Sequence, residues 1–176
     1  MWIYIKTTVV LGVMGALGGI LFLYSGVFPM GADEHHTRPV HWALETLRER
    51  AILAASADIE VPALNDPEML MSGGQDYNDM CAGCHLKPGK STSDLNQGLY
   101  PQPPNLAMAS ANAPADPARA AARQFWIIKH GVKASGMPAW GYSHDDRRIW
   151  SMVAFLQRLP TLTPDQYQIL TARGNP

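Results

Sequence analysis

The sequence predicts an all-α fold, a small helical domain preceded by one transmembrane helix. Three observations carry that expectation. No segment shows the period-two alternation of a half-buried strand, helix-capping residues recur just ahead of apolar stripes, and one uninterrupted apolar run opens the chain. No internal repeat is visible. The chain has 176 residues and a formal net charge of −1, room for one ordinary domain plus an extension. Its basic residues are scattered, which argues against a nucleic-acid partner.

The apolar run comes first. From Thr7 to Phe28 no residue is charged, Lys6 precedes the run, and Asp33 and Glu34 follow it. Twenty-two residues at 1.5 Å each reach about 33 Å, enough for the hydrocarbon layer. Trp2, Tyr4 and Tyr24 fall near the ends, where interfacial aromatics belong. A cleavable secretory signal also has a basic start and an apolar middle. Its apolar run is usually shorter, and Met30-Gly31-Ala32 is a poor small-residue exit, so residues 1–30 are read as a retained anchor. Lys6 and the amino terminus favour the cytoplasmic side, which sends the rest of the chain outward. Gly15 and Gly19, with Gly12 one turn earlier, permit close packing against another span, although glycine is common in membrane helices anyway.

Residues 31–65 read as a connector holding a helix at about 41–57. His35, His36 and His41 invite a copper or zinc site, against the plainer reading of a solvated juxtamembrane stretch. In the helix, Leu44, Leu47, Ala51 and Ala54 share one face while Arg48, Glu49 and Arg50 take the other. That apolar stripe is expected to rest on the folded domain or on a partner subunit.

The folded domain is expected over 66–176. Asp66-Pro67 is an N-cap followed by proline, and a short helix should run from about Gly73, carrying Tyr77 and Met80 inward. Residues 86–115, rich in proline, read as ordered loop. Helix signals return at Asp116-Pro117 and run to His130, with Gly131 at the position that ends helices. Ser143 and Asp146 resemble a capping box ahead of Ile149, Trp150, Val153, Leu156 and Leu159, with Phe155 beside them and Pro160 closing the run. A last helix is expected from Thr163-Pro164-Asp165.

The chemistry centres on Cys81-Ala82-Gly83-Cys84-His85, which holds both cysteines of the chain. C-x-x-C-H is the attachment pattern of c-type haem: two thiols form thioethers to one porphyrin, and the adjacent histidine lies under the iron. A thioredoxin-like pair would follow a βαβ strand, and a zinc site would need a second ligand pair; neither is visible. The candidates for the second axial ligand are Met69, Met71, Met80, Met108, Met137, Met152, His130 and His144; Met80 directly precedes the motif, Met152 sits on the last long helix, and Met69 and Met71 lead into the motif. Met137, in the rigid loop Gly136-Met137-Pro138, is the favoured ligand, with His130 the competitor.

Tyr77 with Cys81-Ala82-Gly83-Cys84-His85, Pro103-Pro104-Asn105-Leu106, Gly136-Met137-Pro138-Ala139-Trp140 and Ile149-Trp150 with Phe155-Leu156 together resemble the class I cytochromes c. Over residues 66–160 the chain is similar to the bacterial monohaem type that hangs from one membrane helix. The resemblance implies one covalent haem c, with His85 proximal, Met137 distal and Trp140 beside it. It also implies a backbone carbonyl of Pro103 or Pro104 on the His85 ring N–H, and first and last helices crossing where Gly74 or Tyr77 meets Trp150 or Phe155. Six-coordinate His/Met iron leaves no site for a small-molecule substrate, so no catalytic residue is expected. The expected function is a single-electron carrier in the bacterial cytoplasmic membrane, its haem domain periplasmic, serving redox proteins in or at that membrane and touching lipid through the N-terminal helix. The alternative is a fixed electron-transfer subunit of a terminal oxidase, reductase or dehydrogenase; a sensor or haem enzyme would require Met137 off the iron. Lys87, Lys90, Lys129 and Lys133 are candidates to ring the haem edge and steer an acidic partner.

Overall fold

The structure, a computed structural model, describes residues 1–108 and 116–173. The chain divides into two compact units, Met1–Glu34 and a second that begins at His35. The described residues hold helices and no strand.

The first unit is helix α1, Trp2–Tyr24. At 23 residues it is long and apolar enough to cross a membrane. The hydroxyls of Thr7 and Thr8 donate back to the carbonyls of Ile3 and Tyr4, at 3.0 and 2.9 Å, so neither polar group is left unsatisfied along the helix. Lys6 Nζ lies 4.0 Å from the centre of the Trp2 ring.

The second unit opens with α2, Arg38–Ala55, which starts three residues ahead of the expected point because Pro39 suits a first helical turn. Helix α3, Pro67–Asp76, is capped by Asp66, whose carboxylate accepts the Glu68 N–H at 2.9 Å. A π-helical turn at Tyr77–Cys81 widens the backbone before α4, Ala82–His85. Helix α5, Asp94–Gly98, interrupts the stretch expected to be loop; Ser93 caps it by accepting the Asn96 N–H at 3.1 Å. The segment 109–115 of that expected loop lies outside the described residues. Helix α6, Pro117–His130, ends at Gly131, which adopts a φ of +66°.

A 3₁₀ turn at Trp140–Tyr142 precedes α7, Asp146–Arg158. Its cap is Asp145, whose carboxylate accepts the Arg148 N–H at 2.8 Å, and not the expected Ser143. The 3₁₀ turn occupies Ser143, whose backbone N–H is bonded to the Trp140 carbonyl and whose hydroxyl faces the His144 ring. After a short turn at Leu159–Thr161, α8, Pro164–Thr171, carries a full capping box between Thr163 and Gln166.

The core forms where α3 crosses α7. A Cβ built on Gly73 would sit 1.9 Å from the Ser151 carbonyl oxygen, so only glycine allows this approach. One residue on, Gly74 faces the Phe155 ring, and Tyr77 packs on the same ring with centroids 5.5 Å apart. Ile149, Val153, Phe155 and Leu159 of the α7 face are fully buried, each stabilising the fold by roughly 1.5–3 kcal/mol. Trp150 instead stacks on Phe125 of α6 at 4.1 Å. The segment read as a connector joins this unit: Ile52 is buried, Glu49 pairs with Arg123 of α6 at 2.7 Å, and Ile59, Val61 and Leu64 pack on the core.

Candidate haem site

The motif is held from both sides by backbone hydrogen bonding. Tyr77, buried beneath it, donates its hydroxyl to the Leu86 carbonyl at 2.6 Å and lies 3.3 Å from the His85 carbonyl. Leu86 takes a positive φ of 65° and turns the chain away after the histidine. The His85 carbonyl also accepts the Leu106 N–H at 3.0 Å.

The imidazole is fixed separately. His85 Nδ1 lies 2.9 Å from the Pro104 carbonyl, which requires the proton on Nδ1 and leaves the Nε2 lone pair for a ligand bond. Of the two prolines left open by sequence, Pro104 faces the ring. The Pro103 carbonyl is taken by Asn96, whose amide donates to it at 2.9 Å and to the Cys84 carbonyl at 2.8 Å. Gln102 completes the arrangement by donating to Asn96 Oδ1 at 2.9 Å. Asn96 is buried, and sequence reading passed over it because its stretch showed no periodicity. The available signal was Ser93, a cap residue three positions ahead.

Burial lowers the His85 pKa, with the Pro104 hydrogen bond opposing it, so the ring is neutral and suited to bind iron. Cys81 and Cys84 form no disulfide and are each partly buried. Burial pushes the Cys81 thiol up to about 12, reinforced by the charges of Asp76 and Cys84.

The Met137 loop is clamped through its backbone. Met137 N–H donates to Ser135 Oγ at 3.1 Å, the Ser135 hydroxyl donates to the Val132 carbonyl at 2.7 Å, and Val132 N–H reaches the Met137 carbonyl at 3.3 Å. Gly131 lies so close beneath that a Cβ there would meet the Met137 carbonyl oxygen at 2.7 Å. Met137 and Trp140 are partly buried and pack on the cluster of Phe125, Ile149 and Trp150. Met69 and Met80 pack on the same cluster, and Met152 is buried within it. His130 is exposed, its ring 4.9 Å from that of Trp126.

The other candidates disperse. His35 stacks on Tyr100 at 4.9 Å, His36 meets the same ring edge-on, and His41 pairs with Glu45 at 3.5 Å. Among the described residues, no three or more His, Cys, Asp or Glu side chains are grouped to hold a metal ion. Lys129 is paired with Asp146 at 2.6 Å and Lys87 lies over the Tyr167 ring, while Lys90 and Lys133 are exposed.

Two unbridged thiols one turn apart, followed by a histidine with one nitrogen tied and the other left as a donor, match what covalent haem attachment needs. The family model described as cytochrome c oxidase, cbb3-type, subunit III matches residues 68–156. The chain belongs to this family. It is a class I cytochrome c, an electron-transfer protein that carries covalent haem c and works with redox protein partners. No curated protein and no solved structure matches the chain.

Proposed function

We propose that this cytochrome is a single-electron carrier held in the bacterial cytoplasmic membrane by α1, with its haem domain in the periplasm and its iron coordinated by His85 and Met137. The bound haem supplies a one-electron iron couple. Cys81 and Cys84 hold it through thioethers, so it cannot be lost. His85 offers Nε2, and the Pro104 carbonyl fixes the plane of the ring. Met137 offers a neutral, soft sulfur that favours the ferrous state and raises the potential relative to a second histidine.

The observation that carries this reading is the clamp on Met137: Gly131, Val132 and Ser135 fix its backbone. His130, the competitor, is exposed and set against Trp126. Ligands preset in this way move little between oxidation states, which suits fast transfer. Donors and acceptors are then redox proteins in or at the same membrane, where tethering raises their effective concentration.

Optical spectra of the haem-loaded protein test it. A weak far-red charge-transfer band in the ferric form, lost in Met137→Ala but kept in His130→Ala, with no carbon monoxide binding by ferrous wild type, is the expected result. Carbon monoxide binding by wild type would sink the carrier and bring a sensor or catalytic haem forward.

The family description favours one second reading, a fixed electron-transfer subunit of a larger membrane redox enzyme. Purification in mild detergent separates the two: a carrier comes away alone, and a subunit brings stoichiometric partners with it.

A further inference from the structure

Helix α2 wears its apolar stripe on the outside. Successive residues advance by about 100° around a helix. The inward side holds Glu49 bonded to Arg123, and Ile52 and Ser56, both buried. Diametrically opposite lie Val40, Leu44 and Leu47, which are 42%, 48% and 68% exposed, with Ala51 and Ala54 exposed between them. An ordinary surface helix points its apolar stripe at the core and its charges at water. Here Glu49 faces the domain, and the only charge among the outward residues is Arg50.

We infer that this face of α2 lies in the interfacial layer of the same membrane that holds α1, oriented along its surface. The inference rests on the reading of α1 as a membrane span. Only thirteen residues, Ser25 to Thr37, separate the two helices, so the chain can carry α2 at most about 45 Å from the end of the anchor. The stripe runs nearly the whole of α2, some 27 Å, along a single convex helix face, which suits a flat surface and offers no pocket to a side chain. Its one charge is cationic, the sign that anionic headgroups attract, and no carboxylate interrupts it. The domain then meets the bilayer at two points, and Glu49–Arg123 fixes the second to α6.

The test uses full-length, haem-loaded protein in vesicles of phosphatidylcholine and phosphatidylglycerol. Nitroxides are placed singly at Leu44→Cys, Leu47→Cys and Ala51→Cys, with Thr161→Cys as an exposed reference and Leu11→Cys as the anchor reference. The native thiols are consumed as thioethers, so only the introduced one reacts. Collision rates are read with oxygen, which concentrates in lipid, and with a water-soluble nickel chelate, which does not.

The expected result is an oxygen-to-nickel ratio at 44, 47 and 51 at least about threefold above that at Thr161→Cys. Equal ratios overturn the inference, because the face is then in water. Suppression of both collision rates also overturns it and assigns the face to a protein, a second copy of the chain or a partner. Failure of the anchor is distinguishable: a water-like ratio at Leu11→Cys removes the membrane span and this inference together, whereas a lipid-like ratio there with a water-like one at Leu47→Cys removes this inference alone.

Discussion

The guanidinium of Arg148 grips the buried carboxylate of Asp76 with two bonds, Nε to Oδ2 at 2.6 Å and Nη2 to Oδ1 at 2.7 Å. The pair ties α3 to α7 beside the crossing at Gly73. The hydrogen bond to Asp76 raises the Arg148 pKa, so the cation persists at any pH the fold survives. Arg148→Ala strands a buried carboxylate, and because the arginine is itself 44% exposed the expected cost is reduced to about 2 kcal/mol. Thermal melts followed by circular dichroism should show a drop of roughly 5–10 °C. An unchanged melting temperature would mean that water replaces the guanidinium at no cost.

Gly73→Ala places a methyl where the Ser151 carbonyl already is, so α3 and α7 must separate. The expected loss is about 3 kcal/mol or more, read from the urea midpoint. Gly98→Ala, at a site with no heavy atom within 4 Å, is the comparison and should change stability by under about 0.5 kcal/mol.

Asn96→Leu removes the amide that spans the Cys84 and Pro103 carbonyls and orphans Gln102. Two partly buried acceptors lose their donor, at a cost of about 2 kcal/mol. Freed from Pro103, the neighbouring Pro104 carbonyl should hold the His85 N–H less firmly, making the imidazole a weaker donor to iron. The reduction potential is therefore expected to rise, as protein-film voltammetry would show. A potential that stays put while stability falls would confine Asn96 to a structural part.

Alkaline pH should unfold the protein through two tyrosines. Tyr77 and Tyr167 are both buried, and burial raises each pKa well above the ordinary value near 10. Above pH about 10 the unfolded chain gives up these protons while the folded chain keeps them, so stability is intact below that pH and falls as pH rises. The slope is about 1.4 kcal/mol per pH unit for each tyrosine. Urea midpoints between pH 9 and 11 measure it, and Tyr77→Phe should halve the decline.

Helices α6 and α8 were legible because proline and cap agree at each of them, and α7 because its apolar spacing is long, whereas α3 starts at Pro67, six residues ahead of the expected start near Gly73. Local chemistry also marked Cys81, Cys84 and His85, which need only a pentapeptide to declare themselves. Three features escaped. The cap of α7 fell on Asp145 because the turn at Trp140–Tyr142 engages Ser143, a competition between neighbouring motifs that spacing alone does not resolve. Helix α5 is too short to display a period, and its Asn96 makes contacts that depend on how distant loops fold back. The direction of the α2 stripe was open for a third reason: its apolar and charged faces were plain in sequence, but Arg123, which draws Glu49 inward, lies 74 residues away.

The histidine fastens the chain to itself at two adjoining points, its ring to Pro104 and its carbonyl to Leu106. Everything from Leu86 to Pro103 is thereby a closed ring whose clasp is His85 itself. The clasp does not depend on the circumference. Doubling such a ring costs only about 0.6 kcal/mol in closure entropy. Residues between Lys87 and Ser93 can consequently be inserted, deleted or exchanged while the imidazole keeps its orientation, as long as Asn96 still reaches its two carbonyls. A surface that can be rewritten beside a ligand that cannot move lets one haem scaffold acquire new partners without retuning its metal.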